Sequence, residues 1–191
     1  MPRHNESANM RRRTGLWRRA VLTLLLGFAV LDGAAATDEH FDCVDAFELI
    51  VLATTIRCHT DTAAAPAPDL LDEARAKLID AGFYRAADFD RINIRWCPLT
   101  NALGFTRDAE HILLASGLAL GSADLVAEVL AHEMVHARQF RERGADGFRC
   151  DYVNAFIACA GCQDRGHALE AEAYTLQDVV RERLHERWLT Q

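Results

Sequence analysis

The stretch "SADLVAEVLAHEMVHARQFRERG" (122–144) decides how the chain is read. Ser122 is placed to cap a helix, Asp124 suits its first turn and Gly144 its end. Between them Leu125, Val129, His132, His136 and Phe140 recur every three or four residues, which predicts one helical face. Histidines four apart lie about one turn apart, with Cβ atoms about 5–6 Å from each other. Two imidazoles so placed can converge on one ion at about 2.0–2.1 Å each. Glu133 stands on the flank of that face, too displaced to join the pair but placed to take a proton from a water at the ion. That is the physical reason for the pattern H-E-x-x-H.

The plainer reading makes His132 and His136 ordinary surface or core histidines. Three fixed letters in five arise by chance in roughly one in a few hundred chains of this length. Context decides against chance. Val129, Leu130, Met134 and Ala137 are the neighbours expected of a buried helix. Two histidines and a glutamate in a buried run need a polar task, because unpaired polar groups there cost several kcal/mol.

Upstream, "FDCVDAFELIVLATTIRC" (41–58) carries mostly helical spacing at 44, 47, 51 and 52, and "HTDTAAAPAPD" (59–69) reads as a loop. Asp69 can cap a helix over 70–81 that Gly82 ends. "RINIRWC" (91–97) alternates Ile92, Ile94 and Trp96 and reads as a strand. "ALGFT" (102–106) and "HILLA" (111–115) read as two more, joined by the turn "RDAE". Downstream, 148–166 is a cysteine-rich connector with a short helix around 150–158, and 168–189 is a last long helix. His59, His111 and His185 read as solvent-facing or turn residues, Trp96 and Trp188 as core. The expectation is α+β, mostly helical, with a small sheet before the helix that carries the histidines.

The N-terminus reads differently. "MRRRTGLWRR" (10–19), "AVLTLLLGFAVL" (20–31) and "GAAA" (33–36) are the charged head, apolar core and small-residue exit of a secretory signal. The apolar run is short for a membrane span of about 20 residues. Met10 is an alternative start, and the arginine pair at 12–13 is a weak twin-arginine match. Cleavage after Ala36 leaves residues 37–191 as a single domain. It removes six of 21 basic and two of 28 acidic residues, leaving 15 against 26, or about −11. So acidic a surface disfavours nucleic acid and stable membrane association, and it fits a secreted or periplasmic protein.

All six cysteines (Cys43, Cys58, Cys97, Cys150, Cys159, Cys162) follow the signal, which suggests disulfides in an oxidising compartment. Six allow 15 pairings. A straight helix over 43–58 would hold its ends about 22 Å apart, beyond the roughly 7 Å that a disulfide allows. Either that helix breaks or both cysteines pair elsewhere. "CAGC" (159–162) is better explained as a structural disulfide than as a redox pair, lacking the strand before it and the helix starting at it. A zinc ribbon would need a second C-x-x-C, and there is none.

"AHEMVHARQF" (131–140), preceded by "HILLA", resembles the active-site helix and edge strand of zincin metallopeptidases. In that fold the edge strand pairs with an extended peptide or protein substrate. The metzincin form is excluded, since 139 is Gln and 142 is Glu. "HALEAEAY" (167–174) resembles the later-helix segment from which gluzincins take a third ligand. Small secreted bacterial proteins with an H-E-x-x-H helix and a downstream L-E-x-E-A-Y-like segment are also similar. The likeness covers about 90–175 and is specific only at these two motifs.

It implies one Zn²⁺ held by His132, His136 and Glu170, with Glu133 as general base in peptide-bond hydrolysis. Tyr174 stands where that family usually has an aspartate. Glu172 is the fallback third ligand. Two residues along a helix turn through about 200°, so Glu170 and Glu172 cannot both face the ion. His167, Tyr174 and Tyr152 are the candidates for an oxyanion donor or a supporting contact. The alternative function is a zincin-fold protein that holds zinc for structure or interaction and cleaves nothing.

Overall fold

Residues 42–59 and 68–189 are described by a computed structural model, apart from the side chains of His59, Pro68 and residues 187–189. The signal expected over 1–36 lies outside them, as do most of the loop expected over 59–69 and the side chains of His59 and Trp188. The architecture is α+β and mostly helical: α1 (Cys43–Thr55), α2 (Pro68–Asp80), α3 (Ala86–Phe89), β1 (Asn93–Cys97), β2 (Gly104–Asp108), β3 (His111–Ala115), α4 (Ala123–Arg143), α5 (Ala145–Ala158) and α6 (Ala168–Leu189). Among the described residues no helix is long and apolar enough to cross a membrane.

Helix ends follow local chemistry. The Asp42 carboxylate accepts from Val44 N–H at 2.8 Å and Ser122 Oγ from Leu125 N–H at 3.2 Å, each satisfying an orphan donor of a first turn. Asp69 does not cap α2, contrary to expectation. The helix begins at Pro68, whose missing N–H is tolerated in a first turn, and Asp69 lies inside that turn. Gly82 adopts φ +79° as α2 ends, with Phe83 N–H reaching back to Leu78 O at 3.0 Å. Gly144, at φ +74°, separates α4 from α5. Helix α5 begins five residues earlier than the short helix expected around 150.

The three strands form one mixed sheet in the order β1-β3-β2, with β1 parallel and β2 antiparallel to β3. This corrects the placement of "HILLA". As β3 it is hydrogen-bonded on both sides and has no free edge, whereas β1 and β2 are the edge strands among the described residues. The apolar run of β3 fits the centre of a sheet, with Ile112 and Leu114 fully buried. A bulge at Arg107 extends β2 to Asp108 and shortens the turn.

Helix α4 runs through the middle of the molecule. Its residues 129–137 are buried on every side, which is wider than the single stripe expected, and Leu125 from that stripe is exposed. A helix apolar all round is a core helix. One side of it packs with Leu78, Ile112, Leu114, Val180 and Leu184, and half-buried Trp96 joins them. Farther along, Phe140 enters an aromatic group with Phe47, Phe148 and Tyr152, where Phe47 meets the other three edge-on at 5.7–6.2 Å. His132 and His136 lie between these two clusters. His111 and His185 are exposed, as expected.

The six cysteines pair as Cys43–Cys150, Cys58–Cys97 and Cys159–Cys162. Cys43 and Cys58 thus pair elsewhere, and α1 also stops at Thr55 before a 3₁₀ turn. Cys43–Cys150 ties α1 to α5 across 107 residues of chain. Replacing both by serine is expected to cost about 2–5 kcal/mol, read as a lower thermal midpoint. An unchanged midpoint would count against that bond.

Candidate metal centre

Helices α4 and α6 face each other, and the centre is built where they meet. The Nε2 atoms of His132 and His136 are 3.2 Å apart. Glu170 Oε2 lies 3.1 Å from the first and 3.5 Å from the second. All three residues are buried. Tetrahedral ligands at about 2.0–2.1 Å from an ion stand roughly 3.3 Å from one another, so these separations are the edges of such a site. The group could therefore hold a metal ion.

The outward ring nitrogens explain the inward ones. His136 Nδ1 lies 2.9 Å from Gln139 Oε1, and His132 Nδ1 lies 3.1 Å from Gln177 Oε1. A carbonyl oxygen only accepts, so each Nδ1 carries the proton and each Nε2 offers a lone pair. Two lone pairs and a carboxylate oxygen then converge in a buried place, an arrangement that a cation relieves. Tyr152 donates to Glu170 Oε1 at 2.9 Å and leaves Oε2 for the ion.

The charges agree. A proton at the Nε2 atoms stands in for an ion: burial alone would raise the Glu170 carboxyl, but hydrogen bonds from the imidazoles and the positive charge they then carry outweigh it and hold the group well below its ordinary range. Burial opposes charge on His136, yet the Glu170 carboxylate raises it. The pocket welcomes positive charge.

Glu172 is half-exposed and turned away. It pairs with Arg138 and accepts from Gln139 Nε2 at 2.8 Å. Of the two glutamates, the one on the imidazoles is Glu170.

Glu133 stays off the ligand set. Its Oε2 accepts from the Thr106 hydroxyl on β2 at 2.8 Å, a hydroxyl it shares with its own backbone carbonyl at 2.9 Å. Burial raises its carboxyl above the ordinary range, against the charges of both histidines and the Thr106 bond. Gly104 makes room for it: a Cβ there would lie 2.5 Å from Glu133 Oε1 and 2.6 Å from its Cγ. Gly104→Ala is therefore expected to displace Glu133 or bend β2 and to lower any turnover about tenfold to a hundredfold, without loss of bound metal. Turnover and metal content measured together check this.

A cavity of about 280 Å³ opens over the centre. Residues 100–106, which include the start of β2, form one wall, and Tyr174, Gln177 and Val129 line it near His132. Phe148 and Tyr152 line it near His136. Tyr174 sets its ring edge-on to His132, centroids 4.7 Å apart. Its hydroxyl makes no hydrogen bond among the described residues. His167 is different: Nδ1 accepts from Leu169 and Glu170 N–H at 3.3 and 3.4 Å, and Nε2–H donates to Tyr152 O at 2.9 Å. Both ring nitrogens are used within the chain. His167 caps α6 and holds α5 to it, with no donor left for an oxyanion.

Gln139, Gln177, Thr106 and Gly104 escaped the sequence reading. Gln139, three residues after His136 on the same helix, was the one within reach of a spacing argument. The others depend on which segments pack together. Compared with known families, curated proteins and solved structures, the chain matches none.

Proposed function

We propose that the chain is an exported zinc metallopeptidase of zincin-like, gluzincin type, secreted or periplasmic, that hydrolyses peptide bonds. One observation carries the reading: two imidazoles and a carboxylate stand at tetrahedral separations with an uncoordinated, buried glutamate beside them in an open cavity. Two histidines and a glutamate are a donor set that suits Zn²⁺, with a fourth position left for water or substrate. Zinc in such a site polarises a carbonyl and makes a water more acidic. Glu133 accepts the proton of the attacking water and returns it to the leaving amine. Thr106 holds one oxygen of that carboxylate, which keeps the other aimed. Tyr174, on the cavity wall beside His132, can donate to the developing oxyanion.

Gly104, Phe105 and Thr106 of β2 line the same cavity, and among the described residues β2 has no strand on its outer side, so its backbone can take an extended peptide as a further strand. Three disulfides suit an oxidising compartment. The rival, a zinc-holding protein that cleaves nothing, needs the same three ligands and differs only in what Glu133 does. The test is metal analysis of the purified chain, followed by cleavage of casein and a peptide library with and without chelator. Stoichiometric zinc and chelator-sensitive cleavage are expected. No bound zinc, with unchanged folding in chelator, would overturn the reading, and zinc without cleavage would favour the rival.

A further inference from the structure

We propose that Gln139 is the positioning residue of this centre, one carboxamide that orients His136 and registers the Glu170 turn against α4. The inference rests on the metal reading above. Gln139 is almost wholly buried, with 1% of its surface exposed. Its Oε1 faces His136 Nδ1 at 2.9 Å. Its Nε2 donates to Leu169 O at 3.2 Å and to Glu172 Oε2 at 2.8 Å. These two acceptors leave the amide no freedom to flip. Oxygen must face His136, so Nδ1 keeps the proton and Nε2 keeps its lone pair for the ion.

Leu169 immediately precedes Glu170, so the same side chain ties α4 to the turn that supplies the third ligand. Glu172 is the outer anchor, itself held by Arg138. Through Gln139 a residue turned away from the ion still governs two of its ligands. Only a carboxamide meets all three partners. Glutamate at 139 would accept from His136 but would set its carboxylate against that of Glu172 and the carbonyl of Leu169. Leucine would fill the space and bond to none of them.

These needs define the experiment. Zinc affinity is measured by competition with a chromophoric chelator, and ligand geometry by the visible absorption of the cobalt-substituted chain. The melting of the metal-free chain serves as a folding control. Gln139→Leu and Gln139→Glu are each expected to weaken zinc about tenfold to a hundredfold and to alter the cobalt spectrum. In the exchange variant Gln139→Glu/Glu172→Gln, the carboxylate at 139 faces an amide again. It should bind zinc about threefold to tenfold more tightly than Gln139→Glu alone, short of wild type because the Leu169 carbonyl still lacks its donor.

A Gln139→Leu chain that binds zinc as wild type does, with an unchanged cobalt spectrum, overturns the proposal and leaves the metal site standing. So does an exchange variant as weak as Gln139→Glu alone. The exchange variant keeps the size and net charge of the pair, so it carries the test if Gln139→Leu does not fold. A wild-type chain that takes up neither zinc nor cobalt removes the metal reading itself, and this proposal with it.

Discussion

Replacing Glu133 by glutamine is expected to leave zinc bound and to lower peptide cleavage by about 10²–10⁴-fold, the usual worth of a general acid–base group. The side chain keeps its size, so the space above Gly104 stays filled and the Thr106 hydroxyl still finds an oxygen acceptor. What changes is proton chemistry. An amide cannot take a proton from the attacking water or return one to the leaving amine. His132, His136 and Glu170 are untouched, so metal content should be unchanged. Cleavage rate and bound zinc, measured on one preparation, decide the matter. Full activity in Glu133→Gln would remove Glu133 as the base, and lost zinc would make it a ligand or a support of the ligands.

Removing the metal has the second large effect, and it falls on stability. With no cation, two imidazole nitrogens and a carboxylate oxygen stay crowded within about 3.5 Å in a buried place. An ion held at a thousand times its dissociation constant adds about 4 kcal/mol to the folded state. For a chain of this size 1 kcal/mol moves the thermal midpoint about 2–4 °C, so chelation is expected to lower it roughly 8–16 °C. Glu170→Gln keeps a partner for Tyr152 but loses the anionic ligand. It should melt low with or without zinc and ignore chelator. A wild-type midpoint indifferent to chelator would argue that these three residues hold no ion.

Much of α4 was legible because helical periodicity is a local property. Ser122 and Gly144 mark its ends, and the four-residue spacing of His132 and His136 puts both imidazoles on one face whatever the helix packs against. Glu133, as the neighbour of His132, inherits its flank position for the same reason. Local pattern failed where the same letters serve two placements. "HILLA" reads as a strand in either an edge or a central position, and only pairing with both β1 and β2 puts it in the centre. The mostly apolar run from Val129 to Ala137 reads as a stripe until neighbours on every side bury it all round.

What the sequence by itself determined is therefore the helix, the histidine pair, the flanking glutamate, and the rule that Glu170 and Glu172 cannot both turn inward. Each follows from backbone geometry within a few residues. Tertiary structure alone decided that Glu170 is the inward one, since this depends on which face of α6 meets α4. It also decided the partners of Cys43, Cys58, Cys97 and Cys150, the edge position of β2 over Glu133, and the use of Gln177 against the His132 ring nitrogen. Those contacts join residues 27 to 107 positions apart. At such separations the relation between two side chains is set by how whole elements pack, which no periodicity within either element encodes.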